Sequence, residues 1–70
     1  MRSRVRVAIQ GVERIAVPAG TFEAVRVVYT IEKNRGAETY EALVHRQVPR
    51  FLVRERFPNG SSIELVEIAP

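Results

Sequence analysis

The sequence predicts an all-β fold: a six-stranded antiparallel meander forming a curved sheet or half-barrel, completed by a second copy. Three observations carry this. Val and Ile dominate the apolar residues while Leu occurs three times, and Cβ-branched side chains suit a pleated surface better than a helix. Apolar residues recur with a period of two in most segments. Gly- and Pro-containing turns separate those segments, leaving no helical pattern of ten residues or more.

The elements follow in order. Val5, Val7 and Ile9 alternate with Arg4, Arg6, Ala8 and Gln10, and Gly11 breaks the run. Ile15 and Val17 continue an alternation with Glu13, which ends at the corner Pro18-Ala19-Gly20. Pro18 presets φ for a turn and Gly20 permits a left-handed exit. Residues 22–33 form the longest candidate strand, with Val25, Val27, Tyr29 and Ile31 on one face and Ala24, Val28 and Thr30 on the other. Asn34-Arg35-Gly36 reads as a tight turn. Residues 38–47 come next, with Tyr40, Ala42 and Val44 opposite Thr39, Leu43 and His45. Val48-Pro49 is read as a turn before the strand at 51–57, because proline breaks a ladder. Pro58-Asn59-Gly60 is a strong hairpin signal, and residues 63–69 close the chain. Short loops between consecutive strands demand antiparallel pairing.

Seventy residues make one domain, read as 1–70. A chain of this size buries only about 60% of its unfolded surface. There is no cysteine, so no disulfide or thiolate-bound zinc adds stability. Nor is there a helix to cover a sheet face. The sheet either curls into a small barrel that fills its own interior or stacks on a second copy. Several strands carry apolar groups on both faces, as at Val27 with Val28, Phe51 with Leu52, and Leu65 with Val66. A homo-oligomer is therefore expected.

Charge excludes more than it suggests. The net charge of +3 comes from Arg2, Arg4 and Arg6; beyond residue 6 basic and acidic side chains balance. Phosphate binding needs basic groups spread along a face, so a nucleic-acid partner is not expected. One histidine and no aspartate rule out a Ser-His-Asp triad or a two-His metal site within one chain. No cofactor or metal is expected. No apolar run approaches the length of a membrane-spanning helix, and Met1-Arg2-Ser3-Arg4 leads into no apolar stretch of a secretory signal. The expected location is cytoplasmic for a chain beginning at Met1, and the cell envelope if a leader has been removed.

The segment Val17-Pro18-Ala19-Gly20-Thr21-Phe22 resembles a V-P-A-G-T-F turn found in a group of uncharacterised bacterial β-sheet proteins, many of them envelope-associated. Val48-Pro49 and the hairpin at Pro58-Asn59-Gly60 stand where that group has a proline-initiated strand and a closing hairpin. The wider architecture is similar to part of the curved sheet of lipoprotein-carrier proteins. The resemblance implies a curved antiparallel sheet and no catalytic residue. The tryptophan often seen in that group's fourth strand is absent, as are the helices that plug such half-barrels.

Five residues are candidates for a ligand or partner surface: Tyr29, Tyr40, His45, Arg54 and Arg56. Tyr29 and Tyr40 bracket the Asn34-Arg35-Gly36 turn and are expected to pair across strands, as packing or as a stacking platform. His45 is the only histidine, with Glu41 four residues away on its face as a candidate acid–base partner, although such a histidine is more often a surface or interface residue. Arg50, Arg54 and Arg56 join Arg4 and Arg6 in a basic patch if the first and fifth strands meet; otherwise they pair with Glu55, Glu64 and Glu67. The function expected is non-enzymatic: a β-sheet domain that self-associates and binds an apolar or lipid-like ligand. The alternative is a small basic barrel of the Sm, SH3-like or OB type that binds nucleic acid.

Overall fold

The computed structural model describes residues 3–69. Its single sheet has five strands, β1 (Arg4–Val17), β2 (Gly20–Lys33), β3 (Gly36–His45), β4 (Leu52–Arg56) and β5 (Ser62–Glu64). Spatial order follows chain order and every pair is antiparallel. The meander is as expected, but it has five strands and not six.

The missing boundary is Gly11. The two segments expected as separate strands form one 14-residue strand. Ile9 stands opposite Val27 and Val12 opposite Val25, so Gln10 and Gly11 together face the single residue Arg26. This is a β-bulge, and Gly11 takes φ of +112°, a conformation that a Cβ would strain. The extra residue also inverts the alternation. Before the bulge, Val5, Val7 and Ile9 lie on one face; after it, Glu13, Ile15 and Val17 lie on the other, although all six carry odd numbers.

Two faces follow from the registers. The inner face collects Ile15, Phe22, Ala24, Arg26, Glu41, Leu43 and His45; the outer face collects Val5, Val7, Ile9, Val12, Val25, Val27, Tyr29, Tyr40 and Val44. Ile15, Ala24, Leu43 and Val53, one from each of β1 to β4, form the buried cluster on the inner face, with Val17, Phe22 and Phe51 packed against it. Val53 reaches it through a second irregularity. Arg54 pairs with Leu43 and Leu52 with Val44, which leaves Val53 as the extra residue, turned in and fully buried.

The turns form where glycine permits them. Pro18-Ala19 joins β1 to β2, and Asn34-Arg35 joins β2 to β3. In the β4–β5 hairpin the Gly60 N–H donates to Phe57 O at 2.9 Å, and the Phe57 N–H to Ser61 O at 2.8 Å. Asn59 Oδ1 accepts from the Ser61 N–H at 2.9 Å and from its hydroxyl at 2.6 Å. Residues 46–51 form the loop expected around Pro49, whose peptide bond to Val48 is cis.

The last strand is shorter than the expected 63–69. Glu64 pairs with Arg54, and the Leu65 N–H still donates to Val53 O at 2.8 Å. Beyond that point β4 has only Leu52 left to offer, so residues 66–69 find no ladder. Leu65 makes one more contact. Its carbonyl accepts from the Ala19 N–H, in the first turn, at 3.2 Å. The sheet thus curls over its inner face without closing into a barrel. β1 and β4, the strands whose meeting would join Arg4 and Arg6 with Arg54 and Arg56, are not neighbours in the ladder, so the condition for that basic patch is not met.

The curl covers one end only. The radius of gyration is 13.5 Å and the extents are 41 × 21 × 21 Å, against about 11 Å for a compact chain of this length. The far half of the β1–β2–β3 ribbon extends from the cluster. Among the described residues no helix is long and apolar enough to cross a membrane.

Candidate functional site

The five candidate residues divide between the two faces. Tyr29 and Tyr40 are direct partners on β2 and β3 and lie on the outer face. His45, Arg54 and Arg56 lie on the inner face, opposite Ala24, Leu43 and Glu41 respectively. No single site holds all five.

The tyrosines stack on one another, with ring centroids 4.8 Å apart and planes inclined by 3°. Phe57 meets Tyr40 edge-on at 6.0 Å. The Tyr29 hydroxyl donates to Glu55 Oε2 at 2.8 Å. Burial, and then this bond to a carboxylate, push the Tyr29 pKa up to about 12. The row is packed within the protein. A carboxylate at its edge also opposes the approach of a phosphate backbone.

His45 is held by aromatic rings and carbonyls. It stacks on Phe51 at 4.4 Å and meets the Phe22 edge at 5.8 Å. Its Nδ1 lies 3.0 Å from Gln47 O and 3.1 Å from Pro49 O. Both oxygens only accept, so Nδ1 carries the proton and braces the 46–51 loop. The candidate acid–base pair with Glu41 does not form, because Glu41 Oε2 accepts from Arg26 Nη1 at 3.1 Å.

Arg26 is the centre of the inner face. Its Nε donates to Glu13 Oε2 at 2.8 Å and its Nη2 to Glu13 Oε1 at 2.9 Å, a bidentate pair. The hydrogen bonds from Arg26 hold the Glu13 carboxyl below the usual carboxylate range, and Glu13 raises Arg26 in return. Arg54 pairs with Glu64 at 2.7 Å and Arg6 with Glu32 at 3.0 Å. Of the expected pairs of Arg50, Arg54 and Arg56 with Glu55, Glu64 and Glu67, the structure shows Arg54 with Glu64, its direct cross-strand partner, while Glu55 accepts from the Tyr29 hydroxyl instead. Arg26 was not among the candidates. Its signal was a lone charge inside Val25-Arg26-Val27-Val28, where two carboxylates on flanking strands make its partial burial tolerable.

The concavities are shallow and mostly polar. One, of about 430 Å³, lies by the start of β2 and the end of β3 and is lined by Arg14, Thr21, Phe22, Glu23, His45 and Arg46. A second near Arg26, Arg54 and Arg56 holds about 40 Å³. Among the described residues no cluster of three or more metal-ligating side chains occurs.

The outer face offers more. On β1, Val5 is 58% exposed, Val7 63%, Ile9 72% and Val12 50%. They form an apolar row, interrupted by the bulge between Ile9 and Val12, on a strand whose only ladder partner among the described residues is β2. Sequence periodicity finds Val5, Val7 and Ile9 but does not show them exposed, because it places a strand end at the bulge that separates them from the buried Ile15.

No family model, curated protein or solved structure matches the chain.

Proposed function

We propose that this protein is a non-enzymatic β-sheet domain that self-associates, with the outer flank of β1 as its contact surface. The observation that supports this most directly is the exposed row Val5, Val7, Ile9 and Val12 on an edge strand. Contiguous apolar surface on an otherwise charged small domain is a recurrent mark of interaction sites. The resemblance of Val17-Pro18-Ala19-Gly20-Thr21-Phe22 to a turn of curved bacterial sheets is compatible with a binding or assembly role and brings no catalytic group.

Ligand binding has weaker support than association. An apolar-lined concavity of about 210 Å³ lies between β4 and β5, beside Leu52, Val53, Ile63 and Leu65. It falls below the usual range of about 300–1,000 Å³ for small-molecule sites. An acyl chain is therefore a secondary reading, and nucleic acid is disfavoured by the paired arginines of the inner face.

Sedimentation velocity at low micromolar concentration tests the proposal. The expected species has at least twice the 7.9 kDa of one chain, and Val7→Glu returns it to the mass of one. A wild-type species of 7.9 kDa across that range would overturn the reading.

A further inference from the structure

The edge of β1 has a length, a centre and a charge pattern that select one pairing. Its straight portion runs from Arg4, where the strand begins, to Gln10, where the bulge with Gly11 starts. Its midpoint is Val7. Among the described residues the strand's outer side has no ladder partner, and such an edge pairs readily unless something blocks it. The blocking groups here are Arg4 and Arg6, and the bulge.

We propose that a second copy of this chain docks antiparallel on β1, with Val7 opposite Val7 of the other copy, joining five strands from each into one ten-stranded sheet. This rests on the self-association reading and specifies its partner and register. A twofold axis normal to the sheet keeps the two outer faces continuous, and each register is then named by the residue on the axis. Centring on Arg6 sets Arg6 against itself, and centring on Val5 sets Arg4 against Arg6. Like charges directly opposite destabilise a sheet. Centring on Ala8 draws Gly11 and Val12 into the ladder, where the bulge breaks the spacing. Centring on Val7 pairs Arg4 with Gln10, Val5 with Ile9, and Arg6 with Ala8. No arginine stands directly opposite another, the two Arg6 side chains being diagonal neighbours about 7–8 Å apart; the three exposed apolar residues meet one another on the outer face, and the paired stretch ends where the bulge begins.

The absence of cysteine makes the register directly readable. Val5→Cys, Val7→Cys and Ile9→Cys are prepared separately and exposed to a mild copper–phenanthroline oxidant, which takes two electrons and two protons from a thiol pair to form the disulfide. In the proposed register Val7→Cys cross-links to itself. Val5→Cys and Ile9→Cys cross-link chiefly when mixed, since the two position-5 thiols lie about 14 Å apart along the strand at 3.4 Å per residue. Amide exchange on the unmodified protein gives an independent reading: protection at residues 4–10 rises with concentration. A dimer in sedimentation whose Val5→Cys variant links to itself as well as Val7→Cys does would overturn the register while leaving self-association standing. A dimer without concentration-dependent protection at residues 4–10 would overturn the edge itself. A single-copy species would remove both proposals together.

Discussion

Glu13 grips Arg26 from the neighbouring strand through two parallel hydrogen bonds of 2.8 and 2.9 Å, and it reaches that face only because Gly11 adds a residue ahead of it. The pair occupies the middle of the inner face, with Glu41 closing the other side of the guanidinium. Arginine suits this position because its fork serves both carboxylates at once, which a lysine ammonium cannot do with the same geometry.

Glu13→Gln keeps the shape of the site and removes its charge. The thermal midpoint is expected to fall at neutral pH, and the fall is expected to shrink in 1 M salt because both groups are partly exposed. The pH dependence has a definite sign. The native carboxyl titrates below its unfolded value, so its contribution is present above the unfolded value and is lost as pH falls through the native one. Thermal melts from pH 7 to pH 2 should therefore show a shallower acid decline in Glu13→Gln than in the wild type. Parallel declines would remove the role assigned to the pair.

Gly11 is the second test. Gly11→Ala places a Cβ at φ of +112° with nothing within 4 Å of it, so the cost is backbone strain without a clash. About 1–3 kcal/mol is expected in chemical denaturation. Deleting Gly11 should be far worse. The deletion restores simple alternation and forces Ile15 and Val17 to the face of Val5 and Val7, or else breaks the ladder with β2. Loss of the cooperative transition is the expected result; a deletion as stable as Gly11→Ala would show that the bulge does not set the faces.

Tyr29 predicts an alkaline effect. Its pKa of about 12 exceeds the ordinary value of 10.0. Between those values the unfolded chain has released the phenolic proton and the native chain still holds it. Stability is therefore complete below about pH 10 and declines toward pH 12. In a Tyr40→Phe background, absorbance at 295 nm should report one tyrosine titrating near pH 12. Glu55→Gln, which removes the carboxylate from its hydroxyl, should lower that value.

Strands and turns were legible because both depend on local chemistry. Alternation located β2 and β3, and Pro58-Asn59-Gly60 located the β4–β5 hairpin. The pairing of Tyr29 with Tyr40 followed from their positions about the Asn34-Arg35-Gly36 turn. What periodicity could not carry was relative phase. Val5, Val7, Ile9, Ile15 and Val17 share one parity, and a reader without the bulge has no means of sending the first three outward and the last two inward. Arg26 was obscured for the same reason, since its partner Glu13 acquires the right face only through Gly11. The end of β5 depended on how far β4 reaches, which is a property of a different strand.

The hydrogen bond from Ala19 to Leu65 has a consequence for assembly of the fold. A meander grows by adding each strand to the one before it, so most of its closures involve short loops and a modest entropic cost. Ala19 and Leu65 belong instead to the first turn and to the segment after the last strand. Their bond spans every intervening hairpin of the sheet. It ties the two ends of the chain's itinerary together, and the Leu65 backbone that accepts it also donates to Val53, a member of the buried cluster.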